Sequence, residues 1–169
     1  MLYLYVVHSK SKNLVIMKTD RNHPAPPTME EFRDYLKRHG MKATPQRMAV
    51  HEAMLKLGHA SADMVAGTIS ENGREATVAS VYNILSSLSE AGVYHRRLSS
   101  YNKMYFDVNS FNHIHLYDSA NNSYTDFIDD ELLDLVTEKL GKKRFKGYKV
   151  DYIDVQIVCH PSRKKAVKQ

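Results

Sequence analysis

Thr77-Val78-Ala79-Ser80-Val81-Tyr82-Asn83-Ile84-Leu85, followed by two alternating runs at residues 93–98 and 103–108 around Ser99-Ser100-Tyr101-Asn102, decides the fold. Thr77 reads as an N-cap, Val78, Val81, Leu85 and Leu88 recur at helical spacing, and Gly92 supplies the stop. The period then changes from 3.6 to 2, and the polar turn between the runs makes them a hairpin. Upstream, Thr28 with Glu31 forms a capping box before Phe32, Tyr35 and Leu36, and Gly40 ends that helix. Thr44-Pro45 reads as N-cap and N1 of a second helix carrying Val50, Ala53, Met54 and Leu57. A third begins near Ser61 with Ala62, Val65, Ala66 and Ile69, and stops by Gly73. Helices leading directly into a hairpin describe a winged helix-turn-helix, with the hairpin as the wing.

Downstream lies a smaller mixed unit. Residues 114–117 and 124–128 read as short strands around Asn121-Asn122. Asp130 caps a helix bearing Leu132, Leu133, Val136 and Leu140, and residues 148–159 alternate, with Ile153, Val155 and Ile157 on one face. Such a unit is too small to be stable alone, which implies a homodimer. The fold class is therefore α+β: an N-terminal winged helix-turn-helix and a C-terminal α/β dimerisation domain. The divisions are an extension at residues 1–27, a DNA-binding domain at 28–108, a metal-binding dimerisation domain at 109–160 and a basic tail at 161–169. His23-Pro24-Ala25-Pro26-Pro27 is a stiff spacer that cannot be helix. The residues before it read as an extension, or as a start placed upstream of Met17 or Met29, with a short added strand as the alternative.

The 169 residues carry a formal net charge of +5, which fits a polyanionic partner only where the charge is clustered. Cys159 stands alone, so neither an intrachain disulfide nor a Cys-x-x-Cys zinc site can form. A single thiol suits a reducing compartment, and the expected location is cytoplasmic. No run approaches the ~18 apolar residues of a membrane span, and no basic stretch or cleavage site marks a signal peptide.

The outward face of the fourth helix carries Thr77, Ala79, Ser80, Tyr82 and Asn83, groups suited to base edges and phosphates in a major groove. Lys42, Gln46 and Arg47 open the second helix and suit the flanking backbone, while Arg96, Arg97 and Lys103 lie on the wing, within reach of phosphate or the minor groove. His113-Ile114-His115 places two imidazoles on one strand face, roughly 7 Å apart along the strand at ~3.3 Å per residue. Asp107 lies just upstream, Asp126 on the facing strand, and His59 in the loop before the third helix. Three imidazoles and two carboxylates suit ferrous iron, manganese or zinc, one divalent ion per subunit. Binding needs neutral imidazoles and ionised carboxylates, so affinity should fall in acid. An ion bound by both halves would set the angle between the winged helices of a dimer, and hence half-site spacing. Two rival readings are a constitutive DNA binder with a vestigial metal site, and a metal-dependent hydrolase or oxygenase. An enzyme needs a positioned general base, and no additional acid–base pair lies near the histidines.

Taken in order, Gly40-Met41-Lys42-Ala43-Thr44-Pro45-Gln46-Arg47, His59-Ala60-Ser61-Ala62-Asp63, the Thr77 to Leu85 stretch, Glu90-Ala91-Gly92, Tyr105-Phe106-Asp107, His113-Ile114-His115 and Tyr124-Thr125-Asp126-Phe127 resemble the ferric uptake regulator family over residues 29–158. The resemblance implies a dimeric repressor of metal-uptake or peroxide-stress genes that binds pseudo-palindromic, AT-rich double-stranded DNA when metallated. It carries the regulatory site over as His59, Asp107, His113, His115 and Asp126. Asp126 stands where iron-sensing members have Glu and is similar to the peroxide-responsive branch, in which ferrous iron promotes oxidation of a ligand histidine, here His59 or His113. Two departures stand out. Asp118 and Asn121 occupy the usual Cys-x-x-Cys positions, so the structural zinc held by cysteines is absent, and Ile114 replaces the ligand usual between the histidines. An atypical effector such as haem would have Cys159 or His160-Pro161 as its candidates.

Overall fold

The computed structural model describes residues 23–99, 101–150 and 153–162. The sequence expectations for most of the N-terminal extension and for the basic tail fall outside these residues. The described chain forms two compact units, one spanning residues 24–111 and the other beginning at residue 112.

In the first unit, α1 (Met29–Arg38) starts on the expected capping box. Thr28 Oγ1 accepts the Glu31 N–H at 3.3 Å, and Glu31 Oε2 accepts the Thr28 N–H at 2.8 Å. α2 (Pro45–Leu57) starts with Thr44 Oγ1 accepting from Arg47 N at 3.2 Å and Pro45 in the first turn. Gly58, at φ 69°, ends it in the left-handed region that lets the chain reverse. β1 (His59–Ala60) follows at once, then α3 (Ala62–Glu71) and α4 (Val78–Glu90), the latter capped by Thr77 Oγ1 on Ser80 N at 3.2 Å. β2 (His95–Leu98) and β3 (Met104–Asp107) form the antiparallel wing, and β1 pairs with the outer edge of β3 to give the order β1-β3-β2. Phe32, Leu36, Val50, Met54, Val65, Val81, Leu85, Leu88 and Phe106 are fully buried together. Burying each such side chain contributes about 1.5–3 kcal/mol. Val78 departs from its expected inward position: in the first turn of α4 it is 50% exposed, and the buried stripe starts at Val81.

His51, on α2, had no part in the sequence reading. It is fully buried in this core, stacked on Phe32 with ring centroids 3.9 Å apart. A carbonyl can only accept, so His51 Nε2–H donates to Pro27 O at 2.7 Å, and Nδ1 then accepts from the Tyr94 hydroxyl at 2.8 Å. Burial lowers the imidazole pKa against the pull of the Pro27 carbonyl, and burial raises that of Tyr94.

The second unit contains β4 (Ile114–Asp118), β5 (Ser123–Phe127), α5 (Asp130–Gly141) and β6 (Val155–Cys159), with sheet order β5-β4-β6. β4 and β5 are antiparallel, whereas β4 and β6 are parallel and are joined through α5. The α5 cap is Asp129, whose carboxylate accepts from Leu132 N at 2.9 Å. The expected cap, Asp130, is instead buried in the first turn, 3.3 Å from His23 Nε2. Ile114, Phe127 and Leu133 form the core, with Leu116, Leu132 and Val155 against it. The last strand is shorter than expected. β6 starts where its parallel partner starts, paired from Ile114↔Val155 to Asp118↔Cys159, and residues 148–150 join no strand among the described residues. Among the described residues no helix is long and apolar enough to cross a membrane.

Candidate functional site

In the winged-helix unit, β3 brings Asp107 between two neighbours, since His59 on β1 and His95 on β2 are both in register with it. β1 is fixed there by the Val108 N–H donating to Gly58 O at 3.1 Å. The Asp107 side chain is fully buried. Its Oδ1 accepts the Asn109 backbone N–H at 2.9 Å, while Oδ2 lies 3.4 Å from His59 Nε2 and 3.7 Å from Arg97 Nη2. The unit thus offers an imidazole and a carboxylate, one oxygen of which is already engaged by the backbone.

In the second unit, alternation along β4 sends Ile114 into the apolar core and turns His113 and His115 to the opposite side. Their rings are 4.2 Å apart, and both are buried. Asp126 on β5 is in register with His115, and its Oδ1 lies 3.0 Å from His113 Nε2 and 3.8 Å from His115 Nε2. One donor atom from each of these three residues lies within 4.8 Å of the others. Two imidazoles and a carboxylate converging in this way fit a divalent first-row metal that prefers nitrogen and oxygen ligands. Asp154, which carries no motif and was missed from sequence, lies just before β6 with Oδ1 3.9 Å from His115 Nδ1. It places a negative charge beside that ring, beyond direct hydrogen-bond distance. Ile114, pointing into the core, has no place in such a donor set.

The sequence-predicted DNA contacts fall on the winged-helix unit. Tyr82 is exposed, with its ring edge-on to Phe106 at 6.0 Å, and Asn83, Ala79 and Thr77 are also exposed on α4, with Ser80 partly so. The Thr77 hydroxyl is engaged as the helix cap. Lys42 and Gln46 are exposed at the start of α2, where Arg47 Nη1 donates to Lys42 O at 2.8 Å. On the wing Arg96 is exposed. Lys103 Nζ pairs with Asp63 at 2.8 Å, and this hydrogen bond raises the Lys103 pKa. Partial burial raises the Asp63 pKa, but hydrogen bonds from Lys103 and Ser61 more than offset it and the net value falls. Arg97 differs from the expected surface cation: its side chain is 8% exposed and its guanidinium faces Asp107.

A winged helix in one unit and a strand-borne cluster of imidazole and carboxylate donors in the other define a class, that of DNA-binding regulators that respond to metal. Residues 38–156 match the model of the ferric uptake regulator family. The chain belongs to that family, whose members are metal-responsive transcription regulators and not enzymes. Solved structures agree in fold. The Vibrio cholerae ferric uptake regulator is 22% identical, with 77% of this chain covering 99% of that one at a TM-score of 0.65. The Pseudomonas aeruginosa ferric uptake regulator with manganese is 21% identical, with coverages of 78% and 98% and a TM-score of 0.61. The Campylobacter jejuni peroxide stress regulator is 25% identical, with coverages of 78% and 97% and a TM-score of 0.58. No curated protein sequence matches the chain.

Proposed function

We propose that the protein is a cytoplasmic homodimeric repressor of metal-uptake or peroxide-stress genes. It binds pseudo-palindromic, AT-rich operator DNA when each subunit holds one divalent iron, manganese or zinc ion through His59, Asp107, His113, His115 and Asp126. The observation that carries this reading is the type of the donors, each of which offers one ligand atom, and the burial of Asp107, His113 and His115 among them. A buried imidazole–carboxylate set without a cation is costly, and a divalent ion offsets that cost. Asn109 fixes the Asp107 carboxylate by Oδ1 and leaves Oδ2 beside His59, while Asp126 and Asp154 flank His115 through its two ring nitrogens. The chain itself thus pre-orients the ligands, and the ion supplies the positive charge that draws them together. On this reading the two donor groups close on one ion and hold the winged helices at operator spacing. In the Vibrio cholerae regulator the DNA-binding domains undergo structural rearrangement, which supports such a switch here. Residues on α4, with Lys42, Gln46, Arg47, Arg96 and Lys103, would meet the DNA. Peroxide as the signal is supported by Asp126 and by the likeness to the Campylobacter jejuni peroxide stress regulator.

The test is a mobility shift with duplexes selected from a random pool by the protein in manganese, repeated with chelator. The expected result is a shift that chelator abolishes. His113→Ala should lose the manganese dependence while keeping its helical circular dichroism. Equal shifts with and without metal would leave a constitutive binder, and no shift in either would defeat the DNA-binding reading.

A further inference from the structure

The winged-helix unit carries a buried cation of its own at the carboxylate assigned to the metal. On β2, Arg97 stands two residues beyond His95, which is in register with Asp107, so Arg97 and Asp107 share a face of the ladder. Arg96 takes the other face and is exposed, whereas the Arg97 side chain is 8% exposed. Arg97 Nη2 is 3.7 Å from Asp107 Oδ2, the same oxygen that lies 3.4 Å from His59 Nε2. The other oxygen, Oδ1, is held by Asn109 N–H at 2.9 Å. Oδ2 is therefore the oxygen at which both the His59 imidazole and a guanidinium stand.

We propose that Arg97 is the resident counter-cation of Asp107, competing with the divalent metal for Oδ2 and so raising the metal concentration at which the site fills. This rests on the metal-site reading above. A fully buried carboxylate is costly to leave without a partner, and the Arg97 guanidinium 3.7 Å from Oδ2 is one that the chain itself supplies. A guanidinium does not lose its proton in a protein, so its charge persists when the metal arrives. Two cations then crowd one oxygen in a poorly solvated pocket, where their repulsion is strong and little screened by salt. Arg97 acts through Asp107 and is a positioning residue, not a ligand. Its consequence is a regulator tuned to respond at a higher free-metal level than its donor set alone would give.

The test compares the full-length protein with Arg97→Gln, which removes the charge, and Arg97→Lys, which keeps it. Manganese affinity is measured by calorimetry, and melting temperature with and without manganese. Arg97→Gln should bind manganese about tenfold more tightly. Its metal-free form should melt lower than wild type, and manganese should raise its melting temperature by more. Arg97→Lys should restore an affinity close to that of wild type. Wild-type binding of manganese with equal or weaker binding by Arg97→Gln would overturn the proposal and leave the metal site standing. Arg97→Lys behaving like Arg97→Gln would overturn charge as the cause. An Arg97→Gln protein that folds only with manganese would support the proposal, because the ion then replaces the missing charge; one that stays unfolded at saturating manganese would overturn it. No manganese uptake by any of the three proteins would defeat the metal-site reading itself, and the proposal with it.

Discussion

Both units combine helix with a three-stranded sheet, four helices in the first and α5 among the described residues of the second, yet their apolar cores differ in size. Between residues 24 and 111 the interior is a continuous apolar cluster from Phe32 to Val108, and a polar residue inside it, His51, has both ring nitrogens bonded. From residue 112 onward the core of Ile114, Phe127 and Leu133 is small, and His113, His115 and Asp130 are buried in the same unit. Large apolar side chains there stay outside, with Leu135 52%, Val158 57% and Tyr148 83% exposed. A unit of this size buries too little apolar surface to be secure alone. The winged helix thus carries a large apolar core besides its two candidate donors, His59 and Asp107, while the second unit has a small core around groups that call for something added: an ion between its donors, or a second copy against its apolar surface, as in a family of dimeric regulators.

The sharpest way to break this contrast is to cut each core and ask whether manganese changes the loss. Phe32→Ala, at a fully buried site, should cost about 3–5 kcal/mol in denaturant unfolding. That loss should be the same with and without manganese, because Phe32 packs in the α1–α2 core against His51, which is not among the donors. Ile114→Ala, between the two histidines, should cost about 2–5 kcal/mol in metal-free protein and visibly more once manganese is bound, because loosening β4 also weakens the hold of His113 and His115 on the ion. Equal sensitivity to metal at both positions would remove the distinction.

The legibility of the two units differs for the same reason. The winged helix announces itself through local chemistry: Thr28 with Glu31, Thr44 with Pro45, and Thr77 each cap a helix as the sequence reading expected, and the change of period marks the wing. What it hides is burial set by tertiary packing. His51 falls between the apolar positions of α2 and carries no sequence signal of burial; Phe32 and Tyr94 close on it only in the fold. Arg97 reads as a wing cation because alternation separates two faces without saying which one is covered. β1 is two residues long, too short for any period. In the second unit the His-x-His spacing is legible, but Asp154 belongs to no motif and reaches His115 only through the β4–β6 pairing. The start of β6 is likewise set by its five-residue partner and not by its own alternation.

His51 sharpens the comparison through pH. Burial holds its folded pKa below the ordinary value of 6.5, so folding favours the neutral ring. The stability this ring contributes is present above about pH 6.5 and declines as the pH falls through that value toward the lower folded pKa. His51→Phe keeps the stack on Phe32 but strands Pro27 O and the Tyr94 hydroxyl, costing about 1–3 kcal/mol at neutral pH. Unfolding followed from pH 7.5 down to 5 should show the mutant's deficit shrinking, since only wild type has this proton to take up. A constant deficit would mean that His51 acts through packing alone.

The smallest effect lies where the resemblance would have placed a zinc ion. Asp118 Oδ1 accepts the backbone N–H groups of Ala120 and Asn121 at 2.9 and 3.2 Å, and Oδ2 accepts from Asn121 Nδ2 at 2.6 Å. The Asn121 side chain, foremost among these donors, holds the Asp118 pKa down, so the turn's bonds persist well into acid and weaken only as the pH falls through the carboxylate range. Next to it, Ser119 N and Oγ both donate to Cys159 O, at 2.9 and 3.0 Å, joining the β4–β5 turn to the end of β6. Hydrogen bonds close this corner of the sheet, where cysteine ligands would otherwise meet an ion. Each is individually weak, and Ser119→Ala should therefore cost only about 0.5–1.5 kcal/mol, measured by urea unfolding. The cost should be unchanged when metal is stripped, because the bond it removes involves no ion. A Ser119→Ala penalty that appears only in metal-loaded protein would show that the corner depends on a cation after all, and the contrast between a winged helix with a large apolar core and a second unit with a small one would then extend to both ends of the β4 strand.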